Sequence, residues 1–349
     1  MKQRIVYVIV FVFFTHLIQG QIIQGVVYDK TTKEPIYNAN VYMEGTSYYT
    51  ITDDKGKFRL NVPRKINTPL IISHVLYEKQ IIGNIQQIPS EIYMQERDNL
   101  IENVVIDAKR SGFSNEQKLK AFRQIFLGNS SGGKSCKIEN EGDIRLIHDS
   151  ENKRLIASSE VPLKIKNDYL GYEILFELTH FEANYSSSKS LASSDLQSSI
   201  YLGTSSFLDM LPTDVKIQAR RKMVYEGSRN QFFKDVVKEQ MEQSDFKLYK
   251  NLKQRKAEEY FVIEEDPFNS SLIHIILIPE MITHETDDGG AMKLDVVYKG
   301  NTSGVSFFTD VITSDIYGNI DQIDKVLFSG DLAKRRVGDM LPLDYESNE

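Results

Sequence analysis

The sequence contains little cysteine: Cys136 is the only one among 349 residues. A single thiol excludes an internal disulfide, so hydrophobic cores and hydrogen bonds must stabilise the fold. Basic residues are also not in excess, because 42 lysines and arginines stand against 49 aspartates and glutamates, for a formal net charge of −7. This charge balance argues against a nucleic acid as the partner, since nucleic-acid-binding surfaces are basic.

Long apolar runs are absent after the first one, Ile5 to Phe14, which follows Lys2 and Arg4. A positive start, an apolar run of about ten residues and the small residue Gly20 form the pattern of a secretory leader. We therefore predict that residues 1–20 are a signal peptide. Because a spanning helix needs about 20 apolar residues, we expect no transmembrane anchor after cleavage. The predicted location is periplasmic, outer-membrane-associated or secreted.

Residues 22–107 alternate short β-rich runs with turn residues. The runs recur about every 8 to 12 residues, a spacing typical of a β-sandwich. Between two of them, residues 53–56 have the composition of a hairpin turn, because Gly56 tolerates a positive φ and Asp53 can accept bonds from the next amides. Alternating apolar side chains would fill the interior of such a sandwich. The pattern predicts a scaffold without room for catalysis.

A set of positions in this region carries a family resemblance: Gly25, Pro35, Ala39-Asn40-Val41, Gly45-Thr46, Thr52-Asp53, Gly56 and Phe58. Their order resembles the carboxypeptidase-regulatory-like domain, which has a transthyretin-like β-sandwich fold. Leu100 to Ile106 resembles the strand that closes this module in many envelope proteins of Gram-negative bacteria. The resemblance implies a β-sandwich over residues 21–107 with an accessory, non-catalytic role.

Three tyrosines of the predicted sandwich, Tyr42, Tyr48 and Tyr49, are candidate binding residues. Together they could form an aromatic patch that binds a sugar or a peptide. Tyrosine is also an ordinary strand residue, so the alternative is a purely structural role.

Residues 108–116 interrupt the apolar pattern and are predicted to be a linker. Ser114 and Gln117 then form a capping box ahead of an amphipathic helix. Later runs alternate like strands, and a helical segment follows Pro212. The predicted fold is mainly β: a transthyretin-like β-sandwich, followed by a larger β-rich α+β domain over residues 117–349.

Further positions carry a second resemblance: Phe126-Leu127-Gly128, Leu170-Gly171-Tyr172, Arg221 with Tyr225, and Leu341-Pro342. They resemble the C-terminal part, of unknown function, of bacterial envelope proteins that bear the same N-terminal module. This resemblance implies no particular activity.

Residues 128–135, GNSSGGKS, match the phosphate-binding pattern GxxxxGKS. Phosphate binding through this pattern requires a strand before the loop and a helix after it. Here a predicted helix precedes the loop and a β-like run begins at Cys136. We therefore predict a plain loop and no nucleotide.

His148 and Glu151 have the His-x-x-Glu spacing of zinc carboxypeptidases, and either His274 or His284 could supply a third ligand. A zinc ion held in this way would activate water for hydrolysis. However, residues 148–154 separate two strand-like runs and have the composition of a hairpin turn. We favour no catalytic residue, no metal and no cofactor.

The predicted function is a non-enzymatic binding or assembly role in the cell envelope. The partner is an envelope protein or a glycan that the sequence does not identify. The alternative is a zinc-dependent peptidase or another hydrolase that acts on peptide or glycan in the envelope.

Overall fold

The computed structural model describes residues 20–63, 66–83, 87–97, 112–269, 271–278 and 292–346. These residues are mainly β, which confirms the predicted fold class. Nearly all of the predicted leader, the run Leu100 to Ile106, residues 108–111 of the predicted linker and His284 lie outside the described residues. No helix in the described ranges has the length and apolar character needed to cross a membrane.

The N-terminal part is a sandwich of two sheets. Its strands are β1 (Gly20–Asp29), β2 (Asn40–Met43), β3 (Tyr49–Ile51), β4 (Lys57–Pro63), β5 (Leu70–His74), β6 (Tyr77–Ile82) and β7 (Glu91–Met94). One sheet has the order β4-β1-β7 and the other the order β3-β2-β5-β6. Their inner faces enclose a core that contains Val27, Val41 and Phe58. Alternation along each strand creates this core, since successive side chains point to opposite faces.

The predicted turn at residues 53–56 is confirmed. Gly56 has a φ of 68°. Asp53 Oδ1 accepts hydrogen bonds from the amides of Lys55 (2.9 Å) and Lys57 (2.8 Å).

A six-stranded sheet with one long helix follows. Its elements are α1 (Asn115–Phe126), α2 (Ser131–Ser135), β8 (Cys136–Ile138), β9 (Ile144–Asp149), β10 (Arg154–Ser159), β11 (Leu163–Asn167), β12 (Tyr172–Tyr185) and β13 (Leu196–Asp209). Strand β12 pairs with β13 along its whole length, while β11 and β10 pair with different halves of its other edge. The capping box of α1 is confirmed, because Ser114 Oγ accepts from the Gln117 amide and Gln117 Oε1 accepts from the Ser114 amide.

Helix α1 covers one face of this sheet. Phe122 and Phe126 are buried, and the Phe122 ring lies edge-on to Phe181 with 4.8 Å between the ring centroids. Phe126 packs in the same way on Phe176 of β12, at 5.1 Å. These aromatic contacts form the second hydrophobic core of the chain.

A third core lies in the C-terminal part. The elements of this part of the chain are α3 (Val215–Tyr225), α4 (Arg229–Val237), β14 (Phe246–Lys250), β15 (Lys253–Arg255), β16 (Phe261–Glu265), β17 (Ile273–Leu277), β18 (Met292–Tyr298), β19 (Asn301–Phe307), β20 (Val311–Ser314) and β21 (Val326–Gly330). The sheets have the orders β15-β14-β18-β19-β21 and β16-β17-β20, and α4 packs its phenylalanines on them. The region predicted as one domain, residues 117–349, thus contains two separate hydrophobic cores.

The loop between β2 and β3 joins the sandwich to the rest of the chain. The Gly45 amide donates to the Ser205 carbonyl of β13 (2.7 Å), and the Phe207 amide donates to the Thr46 carbonyl (2.9 Å). From the C-terminal segment, the Leu343 amide donates to the Gly45 carbonyl (2.8 Å). These bonds cover the edge of β13, which would otherwise expose unpaired backbone groups.

Gly45 is required in this loop. Its φ is 71°, and a Cβ atom at this position would lie 2.6 Å from Leu343 Cδ1. A side chain would therefore strain the backbone and displace the C-terminal segment.

Asp235 on α4 provides a test of buried charge. Its Oδ2 atom is buried without a hydrogen-bond partner among the described residues, and burial raises the pKa of Asp235 to about 6. Since the folded-state pKa exceeds the ordinary value of 3.8, ionisation destabilises the folded state as the pH rises through this interval. We expect Asp235→Asn to raise the free energy of unfolding by about 1 kcal/mol at pH 7, after allowance for solvent screening.

Urea denaturation at pH 7 and at a pH below the ordinary carboxyl pKa checks this prediction. At the lower pH the gain should vanish, because both the folded and the unfolded carboxyl are then protonated. Asp54→Asn, in the exposed turn between β3 and β4, is the control and should change little at either pH. An equal gain from Asp235→Asn at both pH values would contradict the prediction.

Candidate functional site

A cleft of about 860 Å³ lies between the N-terminal sandwich and the six-stranded sheet. The outer face of the sheet β3-β2-β5-β6 forms one wall, and the outer face of β11, β12 and β13 forms the other. Strand alternation explains which residues line it. In β2, Val41 and Met43 point into the sandwich core, so Asn40 and Tyr42 point outward. In β12, Ile174 and Phe176 belong to the second core, so the alternate residues Glu173, Leu175 and Glu177 face the cleft.

Tyr42 and Glu177 hold the two walls together at one side of the cleft. The Tyr42 hydroxyl donates to Glu177 Oε1 at 3.1 Å and lies 3.1 Å from Thr204 Oγ1 of β13. Lys79 Nζ of β6 forms an ion pair with Glu177 Oε2 at 3.2 Å. Burial raises the pKa of Tyr42, and the neighbouring Glu177 carboxylate raises it further, so Tyr42 stays a neutral donor.

Arg97 joins the walls at another point of the cleft. Its Nε atom donates to the Tyr77 carbonyl at 2.7 Å, and its Nη1 atom donates to the Glu160 carbonyl at 3.0 Å. Nearby His74 also lines the cleft. Burial lowers the pKa of His74, and the Arg97 charge lowers it further, so the imidazole is neutral at physiological pH.

Many of the remaining lining residues are polar and of both charges, and apolar residues such as Val161, Leu175 and Leu208 lie among them. Lysines of β11 and carboxylates of the neighbouring strand and loops lie beside side-chain amides: Lys164, Lys166, Glu139, Asp143, Glu173, Asn38, Asn40 and Asn140. Amide side chains both donate and accept hydrogen bonds. The cleft can therefore bind a ligand that carries many hydrogen-bonding groups and charges of both signs.

The three predicted binding tyrosines have different surroundings. Tyr42 is buried between the walls, with 2 % of its surface exposed. Tyr49 lines the cleft, and its hydroxyl donates to Asn40 Oδ1 at 2.8 Å. Tyr48 packs instead against the sandwich core. Tyr42 and Tyr49 are paired across β2 and β3, so their side chains lie on the same face of the sheet. A binding role for the three tyrosines stays a prediction.

The predicted zinc ligands lie on separate sheets. His148 is in β9, where 6 % of its surface is exposed and its ring contacts Phe113 edge-on at 4.8 Å. Burial lowers the pKa of His148. His274 is in β17, where its Nε2 atom lies 3.0 Å from Asp266 Oδ2.

Glu151 lies in the turn between β9 and β10, and it is exposed. His284, the other predicted third ligand, lies outside the described residues. Within the described part of the chain, no group of three or more histidine, cysteine, aspartate or glutamate side chains is placed to hold a metal ion.

The stretch that matches GxxxxGKS lies between α1 and β8. Helix α1 precedes it, and residues 131–135 form the short helix α2 ahead of the strand, so the strand that phosphate binding requires before the loop is not there. Residues 128–132 also match Gly-x-Ser-x-Gly, a pattern of serine hydrolases. Ser130 Oγ accepts from the Gly133 amide (3.0 Å) and donates to Asp339 Oδ1 (2.6 Å). The hydroxyl therefore caps α2, and no described histidine bonds to it.

The sandwich that forms the first wall of the cleft matches a known domain family. Residues 23–106 match the CarboxypepD_reg-like domain. This match confirms the resemblance seen in the sequence. The CarboxypepD_reg-like domain is a non-catalytic module, and it covers about a quarter of the chain. A search of curated proteins found no match.

Proposed function

We propose that this protein is a non-enzymatic binding component of the cell envelope, and that its ligand occupies the cleft. The observation that carries the proposal is that the CarboxypepD_reg-like domain and the six-stranded sheet each supply one wall of the 860 Å³ cleft. A non-catalytic module placed in this way serves as half of a binding site. The leader pattern of residues 1–20 supports a location in the envelope.

The chemistry of the walls favours a peptide segment of an envelope protein as the ligand. Extended peptides present amide donors and acceptors along their length, together with side chains of either charge. The asparagines of the cleft match the amides, while Lys164, Lys166 and Glu173 match side chains of opposite sign. The cleft volume also lies within the range of about 300–1,000 Å³ that is common for ligand sites.

Site-specific photo-crosslinking in the native envelope tests this proposal. A photoreactive phenylalanine analogue replaces Tyr49 in the cleft, and a control chain carries the analogue at Phe268, a loop residue that is 96 % exposed. We expect a protein adduct from position 49 and none from position 268. In the Tyr49 chain, Lys164→Glu should reduce the yield about tenfold, whereas Lys55→Glu, on an exposed turn, should not.

Three outcomes would contradict the proposal. Equal labelling at positions 49 and 268 would show non-specific contact. An adduct with glycan alone would show that the ligand is a carbohydrate and not a peptide. One zinc ion per chain, together with peptide hydrolysis that His148→Ala abolishes, would establish the hydrolase instead.

A further inference from the structure

A second cavity, of about 400 Å³, lies where the three parts of the chain meet. Strand β13, the connection from α3 to α4, the loop after β20 and the C-terminal segment all contribute to its lining. Glu44, from the loop that joins the sandwich to β13, also reaches it. No described residue lines both this cavity and the cleft. The two sites are therefore separate.

Three arginines line the second cavity: Arg229, Arg335 and Arg336. The arginines that form ion pairs among the described residues are Arg123, Arg154, Arg221 and Arg255, so none of the cavity arginines belongs to that group. Arg335 Nη2 donates to the Glu226 carbonyl at 2.7 Å. The Arg229 guanidinium lies over the Phe328 ring, 5.3 Å from its centroid.

The position of Arg229 is electrostatically unfavourable for a cation. Arg229 is the first residue of α4, directly after the N-cap Ser228, and the positive end of a helix dipole repels a cation. Burial lowers the pKa of Arg229, the nearby Tyr201 raises it, and the neighbouring charge of Arg336 lowers it. A positive charge kept under these conditions is expected to have a compensating anion.

The carboxylates of the cavity do not supply this compensation in full. Three guanidinium groups stand against two carboxylates, Glu44 and Asp339. Asp339 Oδ1 accepts from Ser130 Oγ at 2.6 Å. Glu44 Oε1 accepts from the Ser205 amide at 3.2 Å, and burial raises the pKa of Glu44. Among the lining residues, arginines therefore outnumber carboxylates by one, and Asp331, outside the lining, also stabilises the charge of Arg335.

The rest of the lining is largely apolar and aromatic. Phe233, Ile320, Met340 and Tyr345 are among these residues. A bare inorganic ion would leave this surface without a partner. The lining instead fits a ligand with one anionic end and an apolar body.

We propose that this cavity binds a small organic anion, with a carboxylate or phosphate head held by Arg229 and Arg336 and an apolar body against the aromatic lining. Guanidinium groups suit both heads, because their donors form paired, charge-assisted hydrogen bonds to two oxygens. Arg335 lies beside this pair and adds its charge to the cavity.

Isothermal titration calorimetry of the chain without its predicted leader tests the proposal, with benzoate, phenyl phosphate and neutral benzamide as probes. We expect at least one anion to bind about tenfold more tightly than benzamide, because the neutral amide forgoes the charge-assisted bonds. Arg229→Met and Arg336→Gln should each weaken anion binding about tenfold or more. Arg59→Met, on an exposed position of β4, should leave it unchanged. The preferred head group is identified by comparing benzoate with phenyl phosphate.

Thermal unfolding in an anion-poor buffer separates a ligand-binding arginine from a structural one. Removing Arg229 should leave the melting temperature unchanged or raise it, because the substitution relieves repulsion with Arg336 and the helix dipole. A lower melting temperature for both variants, equal affinity for benzamide, or no binding of either anion at millimolar concentration would each overturn the proposal.

Discussion

Replacing Arg221 with methionine is expected to lower the free energy of unfolding by about 3–5 kcal/mol. Arg221 lies on α3, and only 1 % of its surface is exposed. Its Nη1 and Nη2 atoms each donate to a carboxylate oxygen of Asp209 at 2.7 Å, and its Nε atom donates to the Leu170 carbonyl at 2.8 Å. Its guanidinium also covers the Tyr172 ring at 3.9 Å. One side chain thereby fixes α3 to the paired ends of β12 and β13.

The large effect follows from the groups that the substitution would leave behind. Methionine fills part of the space, but the Leu170 carbonyl loses its donor from Arg221, and the Asp209 carboxylate loses both guanidinium bonds and keeps the Leu211 amide at 3.0 Å. A buried acceptor without a partner destabilises the fold by about 1–3 kcal/mol, and a charged one by more. The free energy of unfolding of Arg221→Lys should lie between those of the wild type and of Arg221→Met. An ammonium group keeps the charge, but it cannot bond both carboxylate oxygens in the same plane.

Chemical denaturation of matched variants checks this prediction. The control is Arg220→Met, one residue earlier on α3, where the guanidinium stacks on the Tyr169 ring at 4.8 Å and makes one long bond to a carbonyl. We expect Arg220→Met to lower the free energy of unfolding by less than about 1 kcal/mol. Equal losses for the two variants would show that Arg221 has no special role in the fold.

The parts of the fold that the sequence predicted depend on local patterns. Alternation and turn composition predicted the strands of the sandwich, and the capping box at Ser114 and Gln117 predicted the start of α1. Each pattern involves residues that are close in sequence, so the backbone geometry follows from the chain itself. Ser228 and Gln231 have the same spacing, but that box is only half formed: Ser228 Oγ accepts from the Gln231 amide, whereas Gln231 Oε1 accepts from the Gly227 amide.

The parts that the sequence did not predict depend on contacts between distant residues. The cleft exists because Tyr42 bonds to Glu177, 135 positions away, and the loop at Ser47 bonds to Asp344, 297 positions away. No periodicity within one segment encodes such pairs. The same holds for the division of residues 117–349 into two cores, which follows from how α3 and α4 pack rather than from a break in composition.

The second cavity did leave one signal in the sequence. Arg229 directly follows the N-cap Ser228, a position where the helix dipole favours acidic residues. A basic residue there contradicts the local rule, and such contradictions mark functional or strained positions. Its partners Arg335 and Arg336 lie more than a hundred residues later, so the cluster itself needed the structure.

The second large effect is expected at Gly132, within the stretch that matches GxxxxGKS. Helix α2 packs its backbone directly against the C-terminal segment, and a Cβ atom at Gly132 would overlap the Gly338 carbonyl oxygen. That segment cannot move away easily, because the Gly338 amide donates to the Leu127 carbonyl and Asn167 Nδ2 donates to the Gly338 carbonyl, both at 3.0 Å. We expect Gly132→Ala to lower the free energy of unfolding by about 3 kcal/mol.

Two control substitutions test whether close packing or phosphate binding explains the glycine at position 132. Gly142→Ala should change stability by less than about 0.5 kcal/mol, since no atom lies within 4 Å of the added methyl group. Lys134→Ala removes the charge that a phosphate site would need, and because Lys134 is exposed it should leave stability unchanged. Equal stability of Gly132→Ala and Gly142→Ala in urea denaturation would disprove the packing role. If backbone contact is the reason, Gly132→Ala should lower the free energy of unfolding strongly and Lys134→Ala should leave it unchanged. Only the first substitution pushes α2 away from Gly338.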